Sequence, residues 1–140
     1  METCKELPQV ALEFMNTVHC EELLLTRELL KAVKAGEESE VSRLLDAWLE
    51  HTIQHFEREE RLMQEYRFPP FPVHQNEHRR ALGTLHTVRA RWQQEHDFQA
   101  LESYIRDDWE PWLGNHIGTM DRVTASYLSQ FNIKVDLTRE

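Results

Sequence analysis

The chain has 140 residues and a formal net charge of −9. An acidic surface repels polyanions, which argues against nucleic acid and anionic membranes as partners. Only four glycines and five prolines point to helices, and eight histidines are many for this length.

A single domain, residues 1–140, is expected, long enough to bury roughly 68% of its unfolded surface. The start, Met1 to Glu6, has no apolar signal-type core, and no run of about 18 apolar residues follows. A soluble, cytoplasmic protein is expected, a monomer or weak oligomer. Cys4 and Cys20 have no C-x-x-C spacing; they fit a reducing cytosol and suggest no disulfide framework. Cys20 reads as a helix-packing residue.

Residues 1–16 mix apolar and charged side chains without a clear period and form an N-terminal arm, partly helical. Asn16 or Thr17 can cap a first helix from Val18 to about Ala35, with Leu23, Leu24, Leu30 and Val33 on its apolar face. His19 falls in its first turn. Gly36 is the stop, with Lys31 and Lys34 placed to favour the helix dipole. Ser39 can cap the second helix. Its inward positions run Val41, Leu45, Trp48, Thr52, His55, Glu59, Leu62 and Tyr66 in steps of three and four, so His55 and Glu59 lie on the apolar stripe. The run Glu57 to Arg61 otherwise reads as a solvated face.

Phe68-Pro69-Pro70-Phe71-Pro72 cannot be helical throughout and turns the chain back. A third helix, Val73 to about Gln94, carries His74, His78, Leu82, Leu85, Val88 and Trp92 on one face. After Gln93 to Asp97 a fourth helix begins near Phe98, with the stripe Leu101, Ile105, Trp109, Trp112, His116, Met120, Val123 and Tyr127. Pro111 should kink it, because the N–H it lacks would bond the carbonyl of Asp107. The tail from Asn132 to Glu140 has no period and should be loosely held. Four helices with short connections imply an all-α, antiparallel up-down-up-down four-helix bundle.

His55 and Glu59, like His74 and His78, are four apart and share a helix face. His19 and His116 add one ligand type from each remaining helix. Asp121, five residues after His116, would stand about 140° away on an ideal helix, so a local distortion or an approach from one flank is needed. A buried imidazole or carboxylate needs a partner, and both are metal ligands. His51 reads as a supporting or surface residue, and His86 and His96 as surface residues.

The order His…His-x-x-x-Glu…His-x-x-x-His…His-x-x-x-x-Asp resembles the hemerythrin family, its single-domain bacterial members in particular. The flanks agree: His55-Phe56 before Glu59-Glu60, and Trp112-Leu113-x-Asn115-His116-Ile117 before Asp121. The similarity covers about residues 10–128. It implies a non-haem di-iron centre with a bridging oxo or hydroxo group that binds dioxygen reversibly, for storage, delivery or sensing. Glu59 and Asp121 would bridge the irons. His74, His78 and His116 would hold one iron; His19 and His55 would hold the other, where dioxygen binds. Counting agrees with this: two octahedral irons offer about twelve positions, and these ligands with one bridge leave one open. Leu113, Ile117 and Trp112 would line the pocket and exclude water.

Ferritin-like di-iron oxidases carry Glu-x-x-His pairs and several carboxylates. No glutamate here lies three residues before a histidine. Five neutral imidazoles with two carboxylates leave the centre positive, which disfavours highly oxidised iron and favours a binding protein over an enzyme. The alternatives are a di-iron enzyme acting on peroxide or nitric oxide, and iron handling without dioxygen chemistry.

Overall fold

The computed structural model describes residues 4–139; the outermost parts of the expected arm and tail, Met1–Thr3 and Glu140, lie outside the described residues. Among these residues the chain is all-helical, an antiparallel up-down-up-down four-helix bundle. Helix α1 spans Glu13–Ala35, α2 Glu38–Glu65 and α3 Phe71–Glu95. Helix α4, residues 98–128, is continuous but built from five segments: Phe98–Ser103, a π-helical Tyr104–Trp109, Glu110–His116, a second π-helical Ile117–Asp121, and Arg122–Leu128. The short connections force antiparallel neighbours: α1 packs on α2, α2 on α3, and the start of α4 on both α1 and α3.

Gly36 ends α1 in the left-handed conformation, at φ 68°, and its N–H closes on Val33. Asp97 caps α4 by accepting a hydrogen bond from Ala100 N–H at 3.0 Å. Other starts differ from expectation. Helix α1 begins at Glu13, ahead of Val18, with Leu12 at its cap position and no side-chain cap. Asn16 instead reaches back to the arm. Its Oδ1 accepts from Val10 N–H at 2.9 Å and its Nδ2 donates to Val10 O at 3.0 Å. Likewise α2 starts before Ser39, after Glu37, without a side-chain cap.

The arm is fastened a second time. Cys4 and Cys20 form a disulfide, with Cα atoms 5.4 Å apart. The expectation of two unpaired cysteines, Cys20 serving only helix packing, is thereby corrected. The arm folds back along α1, so residues 16 positions apart in sequence meet.

The two π segments settle the register of α4. In the first, Glu110 N–H bonds the carbonyl of Ile105, five residues back. This wider turn precedes Pro111 and accommodates the proline. The second inserts one extra residue between His116 and Arg122. Beyond it the inward face is Asp121, Thr124, Ala125 and Leu128. The expected stripe through Met120, Val123 and Tyr127 is therefore wrong past Ile117: Val123 is 56% exposed. Tyr127 lies on the flank, where its hydroxyl donates to Tyr66 O at 2.6 Å and holds the α2–α3 turn. Just ahead of the tail, the ring of Phe131 lies against those of Tyr66 and Tyr127.

The larger apolar core fills one half of the bundle, around Leu45, Trp48, Leu85, Trp92, Ile105 and Trp109. Trp48 and Trp109 meet edge to face, 5.0 Å between ring centres, the arrangement their quadrupoles favour. A second cluster joins Leu7 of the arm to Leu23, Leu113 and Ile117, with Val10 and Trp112 against it. The metal-ligand residue types lie past this second cluster along the bundle: His19 precedes Leu23 on α1, and His116 follows Leu113 on α4.

Candidate metal centre

Each helix delivers its share of one buried polar layer. Helix α1 contributes His19, α2 His55 and Glu59, α3 His74 and His78, and α4 His116 and Asp121; all seven are buried. The second π segment carries Asp121 round to the face of His116, because an i→i+5 turn brings the fifth residue where the fourth would stand in an α-helix. Asp121 Oδ1 then lies 3.3 Å from His116 Nε2.

The carboxylates sit across two sets of imidazoles. Glu59 Oε2 is 2.7 Å from His55 Nε2 and 3.9 Å from His19 Nε2. Its Oε1 is 3.5 Å from His78 Nε2 and 3.7 Å from His74 Nε2. Asp121 divides in the same way: Oδ2 is 3.0 Å from His19 Nε2, and Oδ1 is 3.1 Å from His74 Nε2. Two groups of donors result, each with its atoms within 4.8 Å of one another. One is His74, His78 and His116 with both carboxylates; the other is His19 and His55 with the same carboxylates. Either group could hold a cation, and the shared carboxylates present one oxygen to each.

The outer edges of the rings explain why the Nε2 atoms face inward. His55 Nδ1 is 3.1 Å from Glu22 Oε2, His74 Nδ1 2.8 Å from Thr124 Oγ1, and His78 Nδ1 2.9 Å from Glu60 Oε2. A carboxylate accepts, so in the neutral, metal-binding form of each ring Glu22 and Glu60 hold the proton on Nδ1 and leave the Nε2 lone pair for the centre. Stacking fixes two ring planes: Phe56 on His78 with centres 3.9 Å apart, and Trp112 on His116 at 4.6 Å. The Trp112 indole N–H donates to Glu77 Oε1 at 2.8 Å and locks that ring.

Several of these atoms are buried without a hydrogen-bond partner among the described residues: Nε2 of His19 and His78, Oε1 of Glu59, and both oxygens of Asp121. Each such buried orphan costs about 1–3 kcal/mol. A cation in each of the two groups would satisfy all five, so the donor set fits metal. Burial and the neighbouring Asp121 push the Glu59 carboxyl up, but His55 and His78 outweigh them and hold it at about 2. Burial raises Asp121 too, and His116, His19 and His74 bring it well below the usual carboxylate range. Burial lowers His55, yet Glu59 and Glu22 hold its pKa well above that of a free imidazole.

Leu113 and Ile117 are buried beside the layer, and Trp112 is partly buried. Their wall is completed by Leu7 and Val10 of the aperiodic arm. At Gly118 the arm comes close, since a Cβ there would lie 3.7 Å from Pro8 Cγ.

Two other carboxylates support the layer from outside the sequence motif. Glu60, in a run whose pattern is that of a solvated face, takes His78 Nδ1 and accepts from Gln75 Nε2 at 3.1 Å. Glu22 is wholly buried. Its signal was legible: with Met15, Val18, Thr26, Leu29 and Val33 it falls on the inward stripe of α1. Burial pushes the Glu22 carboxyl up, but His55 and His51 more than offset this and hold it far below the ordinary value. His86 and His96 are exposed.

Residues 10–128 match the model of the hemerythrin HHE cation binding domain. The chain is 30% identical over 115 residues to a bacteriohemerythrin of Aquifex aeolicus, covering 82% of this chain and 88% of the relative. It is 34% identical over 102 residues to one of Ralstonia nicotianae, covering 73% of each. Among solved structures, wild-type hemerythrin superimposes with a TM-score of 0.76 at 25% identity, over 86% of this chain and 91% of that one.

Proposed function

The chain belongs to the hemerythrin family, and from that premise we propose that it binds dioxygen reversibly at a pair of non-haem iron ions joined by an oxo or hydroxo group. The observation that carries this reading is the shared pair of carboxylates, each with one oxygen toward each set of histidines. Glu59 and Asp121 would be shared by the two ions; His74, His78 and His116 would hold one iron, and His19 and His55 would hold the other. The five-to-two ratio of imidazoles to carboxylates suits iron, and the smaller set, with one histidine fewer, would be the one to take dioxygen. When bound, the iron pair supplies the electrons that hold dioxygen. The chain's own part is to orient His55, His74 and His78 through their Nδ1 edges and His78 and His116 through stacking, and to keep water out. Leu113, Ile117, Trp112 and the arm's Leu7 and Val10 perform the second task.

Storage, delivery and sensing all use such a site. No helix among the described residues is long and apolar enough to cross a membrane. A single functional unit in the cytoplasm is compatible with the Cys4–Cys20 bond if that bond cycles, since disulfides in reducing compartments are transient and redox-sensing. One observation favours a second reading. Glu22 adds a buried negative charge that the seven ligand candidates do not include, and extra anionic donation suits an enzyme that reduces peroxide or nitric oxide. Nucleic acid remains an unsuitable partner at this net charge.

The test is elemental analysis and absorption of protein expressed in iron-replete medium. Two irons per chain, with a visible band that appears on exposing the reduced protein to air and disappears on deoxygenation, is the expected result. One iron or none would overturn the di-iron reading. Rapid consumption of peroxide or nitric oxide without such a band would move the assignment to the enzyme.

A further inference from the structure

Among the described residues, Glu22 is a fully buried carboxylate outside the seven ligand candidates. Its two oxygens are both engaged. Oε1 accepts from Thr52 Oγ1 at 2.8 Å, and Oε2 from His55 Nδ1 at 3.1 Å. It therefore meets the edge of His55 opposite to Nε2, which faces Glu59 at 2.7 Å. That position makes Glu22 a support of the ring and not a ligand.

The other outer edges are served differently. His74 has a neutral hydroxyl, Thr124. His78 has Glu60, which is 21% exposed and shared with Gln75. His19 Nδ1 and His116 Nδ1 have no hydrogen-bond partner among the described residues. The buried charge thus serves the donor set that has one histidine fewer. A polar row runs outward from it: His51 Nδ1 is 3.8 Å from Glu22 Oε1, and His51 Nε2 is 3.1 Å from the exposed Glu21.

We propose that Glu22 is a positioning residue for the His19–His55 half of the centre: it fixes the His55 ring with Nδ1–H outward and, as a buried negative charge, makes that imidazole the stronger electron donor, favouring the oxidised state of the iron held there. The inference rests on the proposed di-iron reading. With two donors aimed at it, the carboxylate acts in its acceptor-only, ionised form. A charge-assisted hydrogen bond is roughly twice as strong as a neutral one, and in a dry site its field is weakly screened. A carboxylate behind a metal-bound imidazole fixes its tautomer and raises its basicity. The charge compensates on that side for the missing third ring.

Glu22→Gln keeps the shape and an acceptor for His55 while removing the charge. The first measurement is the midpoint potential of the iron-loaded protein. A tenfold shift of the oxidised-to-reduced ratio toward reduced iron, about 59 mV for one electron, is expected, with a slower loss of the oxygen-dependent band on standing. Glu60→Gln should shift the potential less, because Glu60 is partly exposed. The second measurement needs no iron: nitrogen NMR of the His55 ring in the metal-free protein. The parent should show a protonated, strongly hydrogen-bonded Nδ1 whose proton moves upfield in Glu22→Gln. An unchanged potential, or a Glu60→Gln shift as large, would overturn the electronic role. An unchanged His55 ring signal would overturn the positioning role, and that result stands even in a protein that takes up no iron pair.

Discussion

Glu59 stands between two sets of imidazoles with one oxygen toward each. Glu59→Ala removes that link and leaves Asp121 as the one carboxylate common to both donor groups. Iron content should fall to roughly half or less of the parent's, since orienting and bridging carboxylates set metal affinity. Glu57→Ala, on the exposed face two residues away, should leave it unchanged. Elemental analysis of both variants decides, and equal losses would refute the bridging role. At this scale the sequence was informative wherever periodicity sufficed. His55 and Glu59 fall on an unbroken three-and-four stripe, so their inward direction could be read directly. Glu22 obeys the same rule on α1, but with charged Glu21 beside it the pair has the look of a solvated face. Glu60 was beyond reach: its role depends on which edge of His78 faces the centre, and that is fixed only when α2 and α3 are packed.

Helix α1 shows what an element can hide. Its start, five residues ahead of the sequence-based expectation, is set by no side-chain cap but by the arm that folds back on it. Nothing local in the sequence brings Cys4 to Cys20; the contact exists because Leu7 and Val10 find the apolar wall at Leu23, Leu113 and Ile117. Closing a loop of this size, 16 positions apart, limits the unfolded chain and stabilises by about 3 kcal/mol. Cys4→Ser should lower the unfolding free energy by about that amount in urea titration, and amide exchange of residues 7–10 should accelerate. A variant with undiminished stability and protection would show that Asn16 and the apolar contacts hold the arm alone. The π segment of α4 was half legible. The five-residue step from His116 to Asp121 demanded a distortion, but its form, and the shift it imposes on Thr124, Ala125 and Leu128, needed the backbone itself.

The bundle as a whole places a polar layer beside its apolar clusters, and this arrangement determines how water reaches it. The four helices and their order were legible because amphipathic stripes, Gly36 and the proline-rich turn mark them. The cover over the site was not, since it is made by an arm without periodicity. Leu113 is buried within that cover, against Ile117, Leu7 and Leu23. Leu113→Ala leaves all seven ligand candidates in place and opens a void on the side of the apolar wall. Truncating a buried leucine costs about 2–5 kcal/mol, which a metal-bound state offsets in part because binding adds to the folding free energy. Iron content should therefore hold near the parent's. A void bordering a polar layer admits water, as a dry apolar cavity does not. Water and protons then reach the centre, and the oxygen-dependent band should decay several-fold faster than in the parent. Time-resolved absorption of the two proteins at equal iron content makes the comparison. Equal decay rates at equal iron content would mean that oxygen and water enter by another face of the bundle, and that the wall of Leu113, Ile117 and the arm serves stability alone.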